Sequence, residues 1–235
     1  MLNLLRAVAE TLATLAEKAH QLADGTDEPD LRPFAGVDLV GIDFSTSVQP
    51  IARHVIRGWD RYREQMNAMR HDHGVWAFGV NSIPFPLTRQ PVAPAFLPRF
   101  REVQFRRRGD GAGLVENGSA FYDYFVVALG HAERLSASEA GRKAPLALTI
   151  SLLCDGWPNG GVYRAGDVRP LLEQARARGV RFKLVLLSLT KYRAAVRQFQ
   201  ESLGLTCEEV EVAWHDDVVP DGRSIVSGFD LLSHF

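Results

Sequence analysis

The sequence predicts a Rossmann-like α/β fold, a doubly wound, mostly parallel sheet with helices on both faces. Three observations carry that expectation. Apolar runs of strand length alternate with helical patterns of 12 to 20 residues, and connections of that length suit parallel rather than hairpin pairing. The runs "VDLVGID", "LALTISLLC" and "VRFKLVLLSL" are almost continuously apolar, as strands covered on both faces must be. A chain of 235 residues with 46% hydrophobic side chains can bury one large core.

Taken in order, Leu5, Val8, Leu12, Leu15, Ala19 and Leu22 recur at three-four spacing and predict an amphipathic helix within residues 1–25, stopping at Gly25. Its stripe suits packing on the parent domain, or a short coiled-coil contact with a partner. Residues 26–36, rich in Asp, Gly and Pro, read as a linker to a domain spanning 37–235. Within it, "VDLVGIDFS" is the first strand, 48–69 a helix, and "GVWAFGVNSI" the second strand. A long loop insertion follows at about 84–118, with five prolines between 84 and 98 and room for at most one short edge strand. A helix over 119–135, the central strand "LALTISLLCDG", a helix over 166–179 and the strand "VRFKLVLLSL" come next. A helix over 191–203, the strand "EEVEVAW" and a short helix over 223–235 complete the order.

Composition narrows the function. Lys plus Arg number 27 against 28 acidic residues, a formal charge of -1, so no global field gathers nucleic acid or anionic membrane. Two cysteines, Cys154 and Cys207, make neither a disulfide framework nor a zinc pattern. Glu10, Glu17 and Lys18 interrupt the N-terminal apolar stretch, which argues against a secretory leader. No stretch reaches the roughly 18 uninterrupted apolar residues of a membrane span. The expected location is cytoplasmic.

In an open parallel sheet, ligands bind beyond the carboxyl ends of the strands where strand order reverses. Asp43, Ser45 and Ser47 end the first strand, Asp155 ends the central one, and Ser119 stands at the head of a helix. Singly, each has an ordinary reading: Ser119 as a helix cap, Asp155-Gly156 as a turn. Together they offer two carboxylates and three hydroxyls, hard oxygen donors suited to Mg²⁺ more than Ca²⁺.

Asp-x-Ser-x-Ser after the first strand, "NGSAFYDYF" at the middle helix and "LLCDGWPNGG" after the fourth strand resemble the metal-ion-dependent adhesion site of von Willebrand factor A domains. The resemblance covers roughly 37–232. It implies that Ser45 and Ser47 ligate Mg²⁺ directly, with Mn²⁺ or Ca²⁺ as substitutes, while Asp43 and Asp155 hold it largely through water. Ser119 takes the position usually held by threonine, keeping the hydroxyl but not the methyl that restricts its rotation. It implies also a protein partner that supplies an Asp or Glu to the open metal position, and hence an adaptor rather than an enzyme. Stand-alone bacterial proteins of this kind commonly work with MoxR-type AAA+ ATPases or other operon-encoded proteins of stress response or phage defence.

Other chemistries fit less well. "DFSTS" lacks the glycines of a nucleophile elbow. A metal-dependent phosphoryl-transfer enzyme with Asp43 as nucleophile would meet Ser45, a poor proton shuttle, two positions on. His71 and His73 lack a third ligand nearby, and "WHDD", 214–217, reads as a polar strand end. Arg99, Arg101, Arg106, Arg107 and Arg108 are candidate partner-binding residues. Interleaved with Phe100 and Phe105, they also allow a nucleic-acid-binding module that stacks bases, although balanced charge favours an acidic protein patch.

Overall fold

The computed structural model describes residues 34–137, 145–188 and 192–214. The amphipathic helix expected within 1–25, most of the linker, the closing helix at 223–235 and residues 215–217 of "WHDD" lie outside them.

Six strands form one sheet in the order β3-β2-β1-β4-β5-β6. They are β1 (Gly36–Asp43), β2 (His73–Val80), β3 (Pro84–Pro86), β4 (Ala147–Cys154), β5 (Arg181–Ser188) and β6 (Val210–Trp214). Every neighbouring pair is parallel except β2 and β3. The antiparallel β3 is the short edge strand allowed in the proline-rich segment, where missing N–H groups cost no ladder bonds on the open side. From β1 the chain moves outward to β2 and β3, then crosses back to β4 on the other side of β1. Strand order therefore reverses between β1 and β4, the place where a crevice opens beyond the strand ends.

Helices α1 (Ala52–Met69), α2 (Phe121–Ala137), α3 (Ala165–Ala177) and α4 (Arg193–Leu203) cover the sheet. All eight residues of β1 are buried. Alternation divides its side chains: Val37 and Leu39 join Phe121, Tyr124, Leu172 and Phe199 of the α2–α4 layer, and Val40 and Ile42 join Val55, Trp59 and Met66 of α1. At Gly41 the Tyr124 ring lies flat against the backbone, so an added Cβ would sit 2.7 Å from it. The expected helix at 48–69 starts as a 3-10 turn, Thr46–Ile51, because Pro50 removes a donor before the α-helix is established. Among the described residues no helix is long and apolar enough to cross a membrane.

The segment 84–118 is built into the fold. Leu97, Phe100, Phe105 and Val115 are buried with the α1 layer. Phe44, just past β1, stacks on Phe105 at 4.8 Å and meets Phe100 edge-on at 5.6 Å, while Trp59 stacks on Phe100 at 5.3 Å. This corrects the base-stacking expectation: both phenylalanines that were to stack nucleotides are core residues.

Candidate metal centre

Beyond Asp43 the chain leaves the sheet in a tight turn. The Ser45 amide donates to Asp43 Oδ1 at 2.7 Å, the local bond by which an aspartate curls its own backbone. Val48 N–H then donates to the Ser45 carbonyl at 3.1 Å and opens the 3-10 turn. Ser45 and Ser47 thus lie on one curl, with their hydroxyl oxygens 2.8 Å apart. Ser47 donates to Asp155 Oδ2 at 2.5 Å. With its single proton so engaged, Ser47 must accept from Ser45. The Asp155 amide reaches Asp43 Oδ2 at 3.4 Å. Ile42 pairs with Leu153 in the parallel register, so Asp43 and Asp155 leave adjacent strands one residue out of step.

Four of the five predicted ligands therefore meet: Asp43, Ser45, Ser47 and Asp155. Ser119 is buried close by, two residues before α2. It is not the helix cap, since that position falls to Ala120. Its amide lies 3.1 Å from a Cβ built on Gly160, so the loop after β4 passes directly over it.

The donor set fits a divalent cation. Asp43 is 2% exposed, and its carboxyl is pushed well above the usual range, first by burial and then by the negative charge of Asp155; bonds from Ser45 and the Asp155 amide act the other way. Among the described residues no Lys, Arg or His lines the cavity at this site. A cation of charge two would neutralise the pair, and each hydroxyl can offer a lone pair while passing its proton along the chain to a carboxylate. The neighbouring thiol of Cys154 is driven up by burial and then by Asp43 and Asp155, which makes it an inert core residue.

The cavity beside these residues measures about 530 Å³ and is lined also by Val48, Ile51, Trp157, Leu187 and Tyr192. Its lip is the loop after β4. Asp123 on α2 holds the far end of that loop, accepting the amides of Val162 and Tyr163 at 3.0 Å each. Sequence reading missed Asp123, Trp157 and Tyr192. Asp123 carried a usable signal, a carboxylate one turn into a helix otherwise apolar at that point, but its target lies 39 residues away.

Arg99, Arg101, Arg106, Arg107 and Arg108 are all exposed, and Arg108 also forms a 2.6 Å ion pair with Glu116, which takes a bond from Ser82 at 2.5 Å. His73 Nδ1 lies 3.1 Å from Asp72 Oδ1, and among the described residues no group of three His, Cys, Asp or Glu side chains forms a metal cluster.

Fold and site together define the class: the chain has the von Willebrand factor A fold. Among solved structures it resembles the pilus adhesin SpaC from Lactobacillus rhamnosus GG, with TM-score 0.57 and 12% identity over 84% of this chain and 30% of that one. It resembles a von Willebrand factor type A protein from Catenulispora acidiphila, with TM-score 0.53 and 12% identity over 84% of this chain and 42% of the other. Proximal thread matrix protein 1 from the mussel byssus, solved with a zinc-occupied MIDAS motif, aligns at TM-score 0.53 and 11% identity over 85% of this chain and 47% of the other. The chain thus spans less than half the length of each. No protein-family model and no curated protein matches it.

Proposed function

We propose that the protein is a Mg²⁺-dependent protein-recognition module, in which Asp43, Ser45, Ser47 and Asp155, with Ser119 beside them, hold the cation and a partner's Asp or Glu completes its coordination. The observation that carries this is the hydrogen-bonded set of two hydroxyls and two carboxylates in a cavity whose described lining has no basic side chain. A cation held between these carboxylates would attract a partner carboxylate, which makes recognition metal-dependent in this reading. The zinc-occupied motif of the mussel protein supports a divalent ion on this fold.

In this reading the protein is an adaptor and not a catalyst, and it works in the cytoplasm. Asp43 is buried and engaged by the Ser45 amide, and among the described lining residues Asp155 is the only Asp, Glu, His or Lys, a poor set for moving protons in phosphoryl transfer. The five exposed arginines, Arg99, Arg101, Arg106, Arg107 and Arg108, add a surface for an acidic patch on the partner. The motif resemblance alone extends the proposal to a multi-protein system with a MoxR-type AAA+ ATPase, or to a stress-response or phage-defence operon.

Tagged protein recovered from its native cell with Mg²⁺ should bring down a partner that is released by EDTA and absent when Ser45 or Asp43 is changed to alanine. Capture that survives both EDTA and the substitutions would sink the metal-mediated reading.

A further inference from the structure

Part of the cavity lining is apolar. Val48 and Leu187, both buried, and the half-buried Ile51 line it, and Trp157 and Tyr192 stand beside them. The two aromatic rings meet edge-on, with centroids 5.6 Å apart and planes at 61°. Trp157 keeps 48% and Tyr192 40% of its surface in solvent, although contact between aromatic rings and water is unfavourable. The other large exposed apolar side chains, among them Met69, Ile83, Phe96 and Val162, do not line this cavity.

The indole is also held in place relative to the metal ligands. Its own backbone amide donates to Asp155 Oδ1 at 2.9 Å, the carboxylate whose other oxygen takes the Ser47 proton. Gly156 makes the intervening turn at φ +79°, a left-handed conformation that suits glycine. Pro158 fixes its own φ and restricts Trp157 before it, and Asp123 pins the loop at Val162 and Tyr163. The Asp155 carboxylate and the apolar part of the cavity therefore share one loop.

We propose that this cavity is a side-chain pocket that selects partners in which the metal-bound Asp or Glu is adjacent to a bulky apolar or aromatic residue. The inference rests on the cation reading above and adds the identity of the neighbouring residue. The cavity volume of about 530 Å³ falls within the range of pockets that enclose small organic groups. Asp155 is the only charged residue in the described lining, and in the cation reading it faces the metal. A basic partner side chain would meet the cation's repulsion, whereas an apolar one covers Leu187, Trp157 and Tyr192. Thr46, Asn117 and Asn159 at the rim can bond the partner's backbone, the usual division between an apolar pocket and a polar edge.

The test uses the full chain with Mg²⁺ and four synthetic octapeptides, each carrying one Glu followed by Phe, Leu, Ala or Lys in a Gly-Ser background, titrated by NMR up to millimolar concentration. The Glu-Phe and Glu-Leu peptides should bind about tenfold or more tightly than Glu-Ala, the factor that burial of a large apolar side chain supplies. Trp157→Ala and Tyr192→Ala, both at exposed positions, should bring that preference to within about twofold while Mg²⁺ binding stays as in the wild type. Equal binding of Glu-Phe and Glu-Ala overturns the pocket, as does preference for Glu-Lys or a preference that survives both substitutions. Failure of every peptide on a protein that still binds Mg²⁺ overturns the pocket alone. Failure of the wild type to bind Mg²⁺ takes down the cation reading and the pocket with it.

Discussion

Replacing Asp43 by asparagine should make the metal-free protein more stable and the metal-saturated protein comparatively less so. Asp43 is 2% exposed and carries a charge that burial and Asp155 both oppose. Asparagine keeps nearly the same volume and the Oδ1 that accepts the Ser45 amide at 2.7 Å. What it gives up is the 3.4 Å contact from the Asp155 amide to Oδ2, longer than a well-formed N–H···O bond. Relief of an uncompensated buried charge should then outweigh the loss, by about 1–2 kcal/mol. For a domain of this size that is a Tm rise of about 2–8 °C. The effect has a defined pH dependence. Because the folded-state pKa is raised, the native state holds a proton that the unfolded state has released, so wild-type stability is full below the ordinary carboxylate range and falls as pH rises through the raised value. Asp38, also buried and raised, has the same effect in both proteins and cancels in the difference. Thermal melts of both proteins in EDTA between pH 4 and 8.5, repeated in Mg²⁺, decide the matter. The wild type should gain about 2.7 kcal/mol at a Mg²⁺ concentration of about 100 Kd, and Asp43→Asn much less. A variant less stable than wild type at pH 8 in EDTA, or an equal gain from Mg²⁺ in both, would refute the reasoning.

Asp123→Ala should free the amides of Val162 and Tyr163, costing about 1–3 kcal/mol; hydrogen exchange should quicken at 156–163 while the β1 amides stay protected, and uniform quickening would contradict a local clamp. Gly41→Ala would drive a methyl to 2.7 Å from the Tyr124 ring, an overpacking cost of about 1–3 kcal/mol visible as a lower urea midpoint; an unchanged midpoint would show that the ring moves aside freely. Single-stranded oligonucleotides should give no salt-sensitive binding that depends on Phe100 or Phe105, since both rings are buried; loss of such binding on Arg106→Ala with Arg107→Ala would restore the nucleic-acid reading. Aryl phosphate should not be hydrolysed with Mg²⁺, and turnover that disappears in Asp43→Ala would favour an enzyme.

The lesson about legibility lies in the difference between these residues. The strands and the α1–α4 helices were readable because hydrophobic periodicity is a local property, and a parallel α/β sheet imposes it on every segment in turn. Asp43, Ser45, Ser47 and Asp155 were readable for a related reason: each follows directly on a strand, and the reversal of strand order between β1 and β4 brings strand ends together. The arginine segment was only half readable. Its charges are local facts, but whether Phe100 and Phe105 face solvent depends on Phe44 and Trp59, which the sequence places 41 or more positions away.

The sequence by itself determined the class of fold, the order of its elements and the oxygen donors at the carboxyl edge, because those follow from spacing along the chain. The tertiary structure decided what spacing cannot encode. It put Trp157 beside Tyr192, tied the loop after β4 to Asp123, and set Ser119 against Gly160. Each depends on how loops close over a finished sheet, and those contacts exist only once the long-range strand pairs have formed.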